Sequence, residues 1–168
     1  KEQEAIQKQV VETPENLYQS GLEAFKGGDM VKAREAFSRF VDLYPKHDLT
    51  ANAVYWIGES YYNMPGGRYR DAAQAYTQVI ETYKNTPWVP DAYYKRGSAY
   101  LEQGLKEQAR ADFQMVLKNF ADSTVAPLAK AKLDGIKTVE SHVSAVLRKL
   151  QLSNRHELAQ WATDRRLI

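Results

Sequence analysis

Few side chains in this 168-residue chain are of kinds that make or break bonds. His47, His142 and His156 are its only histidines, and no two stand at the spacing of paired metal ligands on a helix. The carboxylates are scattered, with no pair that spacing alone would bring together. Cysteine is absent, which removes thiolate nucleophiles, disulfides and zinc sites built on sulfur. Gly27-Gly28-Asp29 and Gly66-Gly67 lack the strand before them and the Lys-Ser/Thr after them that a phosphate cradle needs. No catalytic residue, metal ligand or cofactor is therefore expected, and the chain reads as non-enzymatic. The chemistry left is recognition. All 11 tyrosines lie between Tyr18 and Tyr100, and tyrosine joins a large apolar ring to a polar tip with few rotors, which suits an interface.

The elements that must position those rings are announced by a repeat. Glycines recur at Gly21, Gly58 and Gly97, and alanines at Ala33, Ala72 and Ala109. Aromatic residues follow at Phe37, Tyr76 and Phe113, then at Tyr44, Tyr83 and Phe120. Each unit has the pattern of two helices. Thr13 suits an N-cap, Pro14 the first helical position and Glu15 the positive end of the dipole. Gly27-Gly28 ends that helix, Asp29 caps the next, and Pro45 stops it. Small residues such as Gly21 and Ala33 let the paired helices approach, with an aromatic ring filling the space beside them. Tyr61, Tyr76, Tyr83 and Tyr100 are expected to pack between helices.

This pattern resembles the tetratricopeptide repeat, although the units are longer than the usual ~34 residues. The resemblance implies an all-α, right-handed solenoid of three helix pairs with a C-terminal helical extension. The expected organisation is a stub over 1–12 and repeats over 13–136, divided at about 13–47, 48–86 and 87–123 before the start of a fourth helix. A separate helical segment spans 137–168. The segments "VYWIGESYYN" and "PDAYYKRGSAYLEQG" are similar to repeats of the periplasmic protein of the bacterial Tol–Pal system, which coordinates envelope constriction with peptidoglycan synthesis in cell division. Lys84 and Ala121 stand where that subfamily carries proline. A more distant resemblance is to the repeat lipoprotein of outer-membrane barrel assembly.

In such arrays the first helix of each unit lines a concave groove. The resemblance places Tyr18, Leu22, Phe25 and Lys26 there in the first unit. Asn52, Tyr55, Glu59, Tyr62 and Asn63 follow in the second, and Asp91, Tyr94, Ser98, Leu101 and Glu102 in the third. A groove of mixed charge without a ladder of cations favours an extended or helical protein segment over a free carboxylate terminus. The resemblance implies TolA as the partner and the periplasm as the location. The chain begins without Met, which fits a processed or truncated N-terminus from which an export signal has been lost, and no apolar run reaches the length of a membrane span.

The C-terminal stretch "KTVESHVSAVLRKL" differs in character. Residues 137–168 carry six Lys or Arg against three Asp or Glu, while the net charge of the whole chain is only +2. Thr138, Val139, His142, Val143, Lys149, Leu150, Asn154, Arg155 and Glu157 resemble the second half of a LuxR/NarL-type helix-turn-helix domain, as in a chimera. That resemblance places Glu140, Ser141 and Ser144 against base edges and Arg148 and Lys149 near phosphates. The two preceding helices of that domain are missing, so nothing fixes the recognition helix on a duplex. A DNA-binding regulator is thus the alternative reading, with nucleic acid disfavoured. The reading preferred on physical grounds is two amphipathic helices that cover the end of the array or pair with another copy through Trp161.

Overall fold

A computed structural model describes residues 12–165, and all its regular elements are helices. In chain order they are α1 (Pro14–Lys26), α2 (Met30–Leu43), α3 (Thr50–Tyr62), α4 (Tyr69–Thr82), α5 (Val89–Glu102), α6 (Lys106–Asn119), α7 (Ala126–Leu150) and α8 (Arg155–Asp164). Each helix packs on its neighbours in sequence, so the chain is a solenoid of three helix pairs, α1–α2, α3–α4 and α5–α6, followed by α7 and α8. The expected fold class is what the chain adopts.

The pairing rests on one packing device used three times. A Cβ added to Gly21 would lie 2.7 Å from the ring of Phe37. At Gly58 it would lie 2.6 Å from Tyr76, and at Gly97 2.8 Å from Phe113. All three rings are fully buried, so they have nowhere to move. Between units, a two-step turn repeats in the backbone. The carbonyls of Tyr44, Tyr83 and Phe120 accept from the N–H groups of His47, Thr86 and Ser123. The carbonyls of those three accept in turn from Thr50, Val89 and Ala126. This turn starts α3, α5 and α7 without a side-chain cap.

Helix ends follow local chemistry where the sequence supplies it. Thr13 Oγ1 accepts from the N–H of Asn16, and Asp29 Oδ1 from that of Lys32. Gly28 and Gly104 take positive φ after α1 and α5 and close the same pair of reversed hydrogen bonds, Asp29 N–H to Ala24 and Leu105 N–H to Tyr100. Asn154 caps α8 through the N–H of Glu157, whose carboxylate returns to the N–H of Ser153.

The array ends within α7. Ala126, Ala129, Leu133 and Ile136 are buried in a cluster with Ala109, Phe113 and Val116 of α6. Ala92 and Ala129 share a register 37 residues apart, so Asp134 stands where Gly97 does one unit earlier. A solvated carboxylate there closes the stack with a polar face, as a terminal helix should. The helix then runs on without a break through Lys137 to Leu150. The cap is thus the first half of α7 rather than the two-helix segment expected to cover the array. Beyond Ile136 no described residue is buried, and Trp161 is half-exposed beneath the Arg165 guanidinium, 4.5 Å from the ring centroid.

Candidate functional site

The first helices of the units, α1, α3 and α5, are tied to one another by side chains. Trp56 Nε1 donates to the Tyr18 hydroxyl at 3.1 Å, joining α3 to α1. Lys95 Nζ donates to Glu59 Oε2 at 2.7 Å, and Tyr62 Oη lies 3.5 Å from Glu102 Oε1, joining α5 to α3. These links include Tyr18, Glu59, Tyr62 and Glu102 of the expected groove residues, and burial divides the expected set into two tiers.

The lower tier is structural. Tyr55 is only 7% exposed and packs on Trp88, Tyr76 and Trp56 with centroids 5.1, 5.7 and 6.0 Å away. Burial and then the charge of Glu59 push its hydroxyl well above the ordinary tyrosine range. Glu59 is buried too, accepting from Tyr76 Oη at 2.5 Å as well as from Lys95. Ser98 is buried and donates back to the Tyr94 carbonyl. These three residues, expected on the groove surface, form its floor. Contacts between helices bury them: Trp56 and Trp88, which the repeat pattern did not single out, pack on Tyr55, while Tyr76 and Lys95 close on Glu59.

The upper tier stays accessible. Lys26, Asn63 and Glu102 are exposed, and Tyr18, Leu22, Phe25, Asn52, Tyr62, Asp91, Tyr94 and Leu101 are half-buried. Phe25 leans edge-on against Trp56 at 4.9 Å, and Tyr62 stands over Tyr69 at 5.1 Å with Lys95 above its ring. Burial and the Glu102 charge push the Tyr62 hydroxyl up to about 12. Asn52 Oδ1 is buried without a hydrogen-bond partner among the described residues. Burial raises the Asp91 carboxyl above the ordinary range, with a further push from Glu59. Of the rings expected in the core, Tyr76 is fully buried, while Tyr61, Tyr83 and Tyr100 are half-buried. Arg34 and Arg68 both lie 5.0 Å from the Tyr61 centroid.

A second polar feature is a clamp behind the groove. Arg96 of α5 grips Asp112 of α6 with two bonds of 2.8 and 2.7 Å and reaches Thr77 of α4 at 3.0 Å. Tyr93 and Tyr100 flank its guanidinium. Burial works against the charge on Arg96, but Asp112 outweighs it and raises the arginine further. The bidentate geometry makes this a positioning device for three helices.

Of the residues expected to face DNA, all five lie on the continuous helix α7. Glu140 is bonded to Arg110 of α6, which holds its carboxyl below the ordinary range. It therefore points at the array, because α7 continues the last repeat and does not start a new domain. Ser141, Ser144, Arg148 and Lys149 are exposed. Arg148 and Lys149 lie in the last turn of α7, where positive charge complements the helix dipole. His47 is a turn residue whose Nδ1 accepts from the Leu49 N–H.

Comparison with known proteins agrees with this geometry. Tetratricopeptide-repeat family models match residues 15–47 and 66–124. Among curated proteins, outer membrane protein assembly factor BamD from two strains of Xylella fastidiosa, 9a5c and Temecula1, is similar. Each is 24% identical over 143 residues, covering 74% of this chain and 48% of the relative. The chain thus spans about half the length of those relatives. Among solved structures, the Arabidopsis OM64 TPR domain superposes with a TM-score of 0.60 at 21% identity, covering 73% of this chain and 94% of that one.

Proposed function

We propose that this tetratricopeptide-repeat protein is a non-enzymatic scaffold that holds a segment of another protein along the surface of α1, α3 and α5. The observation that carries the reading is the upper tier of that surface. Tyr62, Tyr94 and Leu101 present half-exposed apolar bodies, with Lys26, Asn63 and Glu102 exposed along α1, α3 and α5, which the Trp56–Tyr18 and Lys95–Glu59 bonds tie together. Rigid, partly exposed aromatic residues give contact area at low entropic cost. The tetratricopeptide matches support protein binding, and the likeness to BamD supports a place in the bacterial envelope. A role beside the Tol system in coordinating constriction with wall synthesis, with TolA as partner, extends this reading on the resemblance of the α3 and α5 segments. In the DNA-binding alternative, Glu140 and the exposed pair Arg148 and Lys149 would have to grip a duplex without a partner helix.

Calorimetric titration with TolA tests the proposal. Tyr62→Ala combined with Glu102→Lys should weaken capture at least about tenfold, equivalent to 1.4 kcal/mol, while the melting temperature stays within a few degrees. Binding indifferent to both changes contradicts the groove, and no binding by the native chain contradicts TolA as the partner.

A further inference from the structure

The groove does not stop at the third unit. The register that places Tyr94, Ser98 and Glu102 on its surface reappears 37 residues on at Ala131, Gly135 and Val139 of α7. At the last unit the corresponding side chains are the smallest. One column runs Tyr18, Tyr55, Tyr94, Ala131, and the other Leu22, Glu59, Ser98, Gly135. Where both columns reach their smallest members a cavity opens, about 370 Å³ in volume. Leu101, Ala131, Gly135, Ile136 and Val139 line it, so it adjoins the groove through Leu101. A Cβ placed on Gly135 would meet nothing within 4 Å, and Val139 is 48% exposed. This is an apolar socket left open by truncation, and not a close approach of helices such as those at Gly21, Gly58 and Gly97.

Two cations stand at its edge. Lys106 and Lys132 complete the lining, and neither forms an ion pair among the described residues; Glu140 is close enough to feel Lys106 but is paired with Arg110. Glu102, on the same turn of α5 as Leu101, leans instead toward Tyr62. An apolar floor would leave a polar anchor desolvated without a partner. A positive rim favours acidic neighbours and repels basic ones.

We infer that this socket receives one large apolar side chain, leucine or phenylalanine in kind, from a partner segment that carries Asp or Glu on either side of it. The inference rests on the scaffold reading, whose groove it extends, and names the chemistry of the segment held at that end. The volume lies at the small end of binding pockets and suits one anchoring side chain.

The test uses fluorescein-labelled twelve-residue peptides and the full chain. One has a central Phe between glutamates, a second replaces Phe by Ser, and a third replaces the glutamates by lysines. The Phe–Glu peptide should bind with a Kd below about 1 mM, at least about tenfold tighter than either control. Gly135→Leu should plug the socket and abolish this difference. Its melting temperature should not fall, since a helical Gly is replaced by a better helix former in open space. Equal binding of the Phe and Ser peptides, tighter binding of the Lys peptide, no binding below 1 mM, or undiminished binding by Gly135→Leu each overturns the inference. A dimer in sedimentation equilibrium that Gly135→Leu dissolves overturns it too, by assigning the socket to a second copy. Tyr62→Ala separates the two readings. Peptide binding lost in Gly135→Leu but kept in Tyr62→Ala supports the socket whatever becomes of the wider groove. The reverse removes the socket and leaves the groove.

Discussion

Residues 14–136 and residues 137–165 are both helical and both amphipathic, yet they are held in different ways. In the array, each helix meets the next through a small residue pressed on a ring, as at Gly58 and Tyr76, and a polar clamp locks α4, α5 and α6. In the C-terminal segment α8 touches α7 lightly and no described residue is buried. Val139 and Val146 remain 48% and 41% exposed. Amphipathic periodicity is therefore enough to make a helix but not to place it. Placement comes from complementary partners, and only the array supplies them.

The largest effect expected from breaking this contrast lies in the clamp. Arg96→Ala leaves Asp112, whose side chain is only 7% exposed, without its cation. Removing one partner of such a pair costs about 3–5 kcal/mol, measurable as a shift in the urea midpoint. Next comes the helix contact itself. Gly58→Ala drives a methyl into the immobile Tyr76 ring and should cost about 1–3 kcal/mol by the same assay, despite alanine's better helix propensity. On the other side of the comparison, Trp161→Ala should cost less than about 1 kcal/mol, although truncating a buried tryptophan usually costs 3–5 kcal/mol. A cost near the larger value would mean that α8 is built into the fold.

The smallest expected effect has the opposite sign. Asp91 pays for its half-buried place in the groove, where burial and Glu59 raise its carboxyl. A carboxyl raised on folding weakens the fold at a pH above its folded value, where it is charged in both states. Below its unfolded value it is neutral in both, and the penalty vanishes. Asp91→Asn should therefore raise the melting temperature slightly at neutral pH, with the gain fading as pH falls. A loss of stability at neutral pH would contradict the burial assigned to this carboxylate.

The repeat was legible because its signal is steric. Gly21, Gly58 and Gly97, with their facing rings, leave spaced letters in the sequence that survive changes elsewhere. Caps at Thr13 and Asp29 were legible for the same local reason. The starts of α3, α5 and α7 were not, because Leu49, Trp88 and Val125 cap nothing with their side chains and the turn before them is a backbone device. The depth of the expected groove residues was not legible. Register alone places Tyr55, Glu59 and Ser98 beside Tyr62 and Leu101, and contacts from other helices bury the first two, Trp88 and Tyr76 on Tyr55 and Tyr76 with Lys95 on Glu59. The clamp joins residues 16 apart in sequence, Arg96 and Asp112, and nothing local marks such a pair. The change of sequence character at Lys137 marks no break in the fold, because it falls on a solvated stretch of one continuous helix, α7. The socket was open to reading by carrying the register one unit further, to Ala131 and Gly135.

Native-state hydrogen exchange, followed amide by amide, tests most directly the claim that buried pairing and not helicity holds this chain together. Amides of α1 to α6 and of α7 as far as Ile136 should exchange through a common, near-global opening, while those from Val143 to Asp164 exchange orders of magnitude faster. Uniform protection running through Leu150 into α8 would contradict the account.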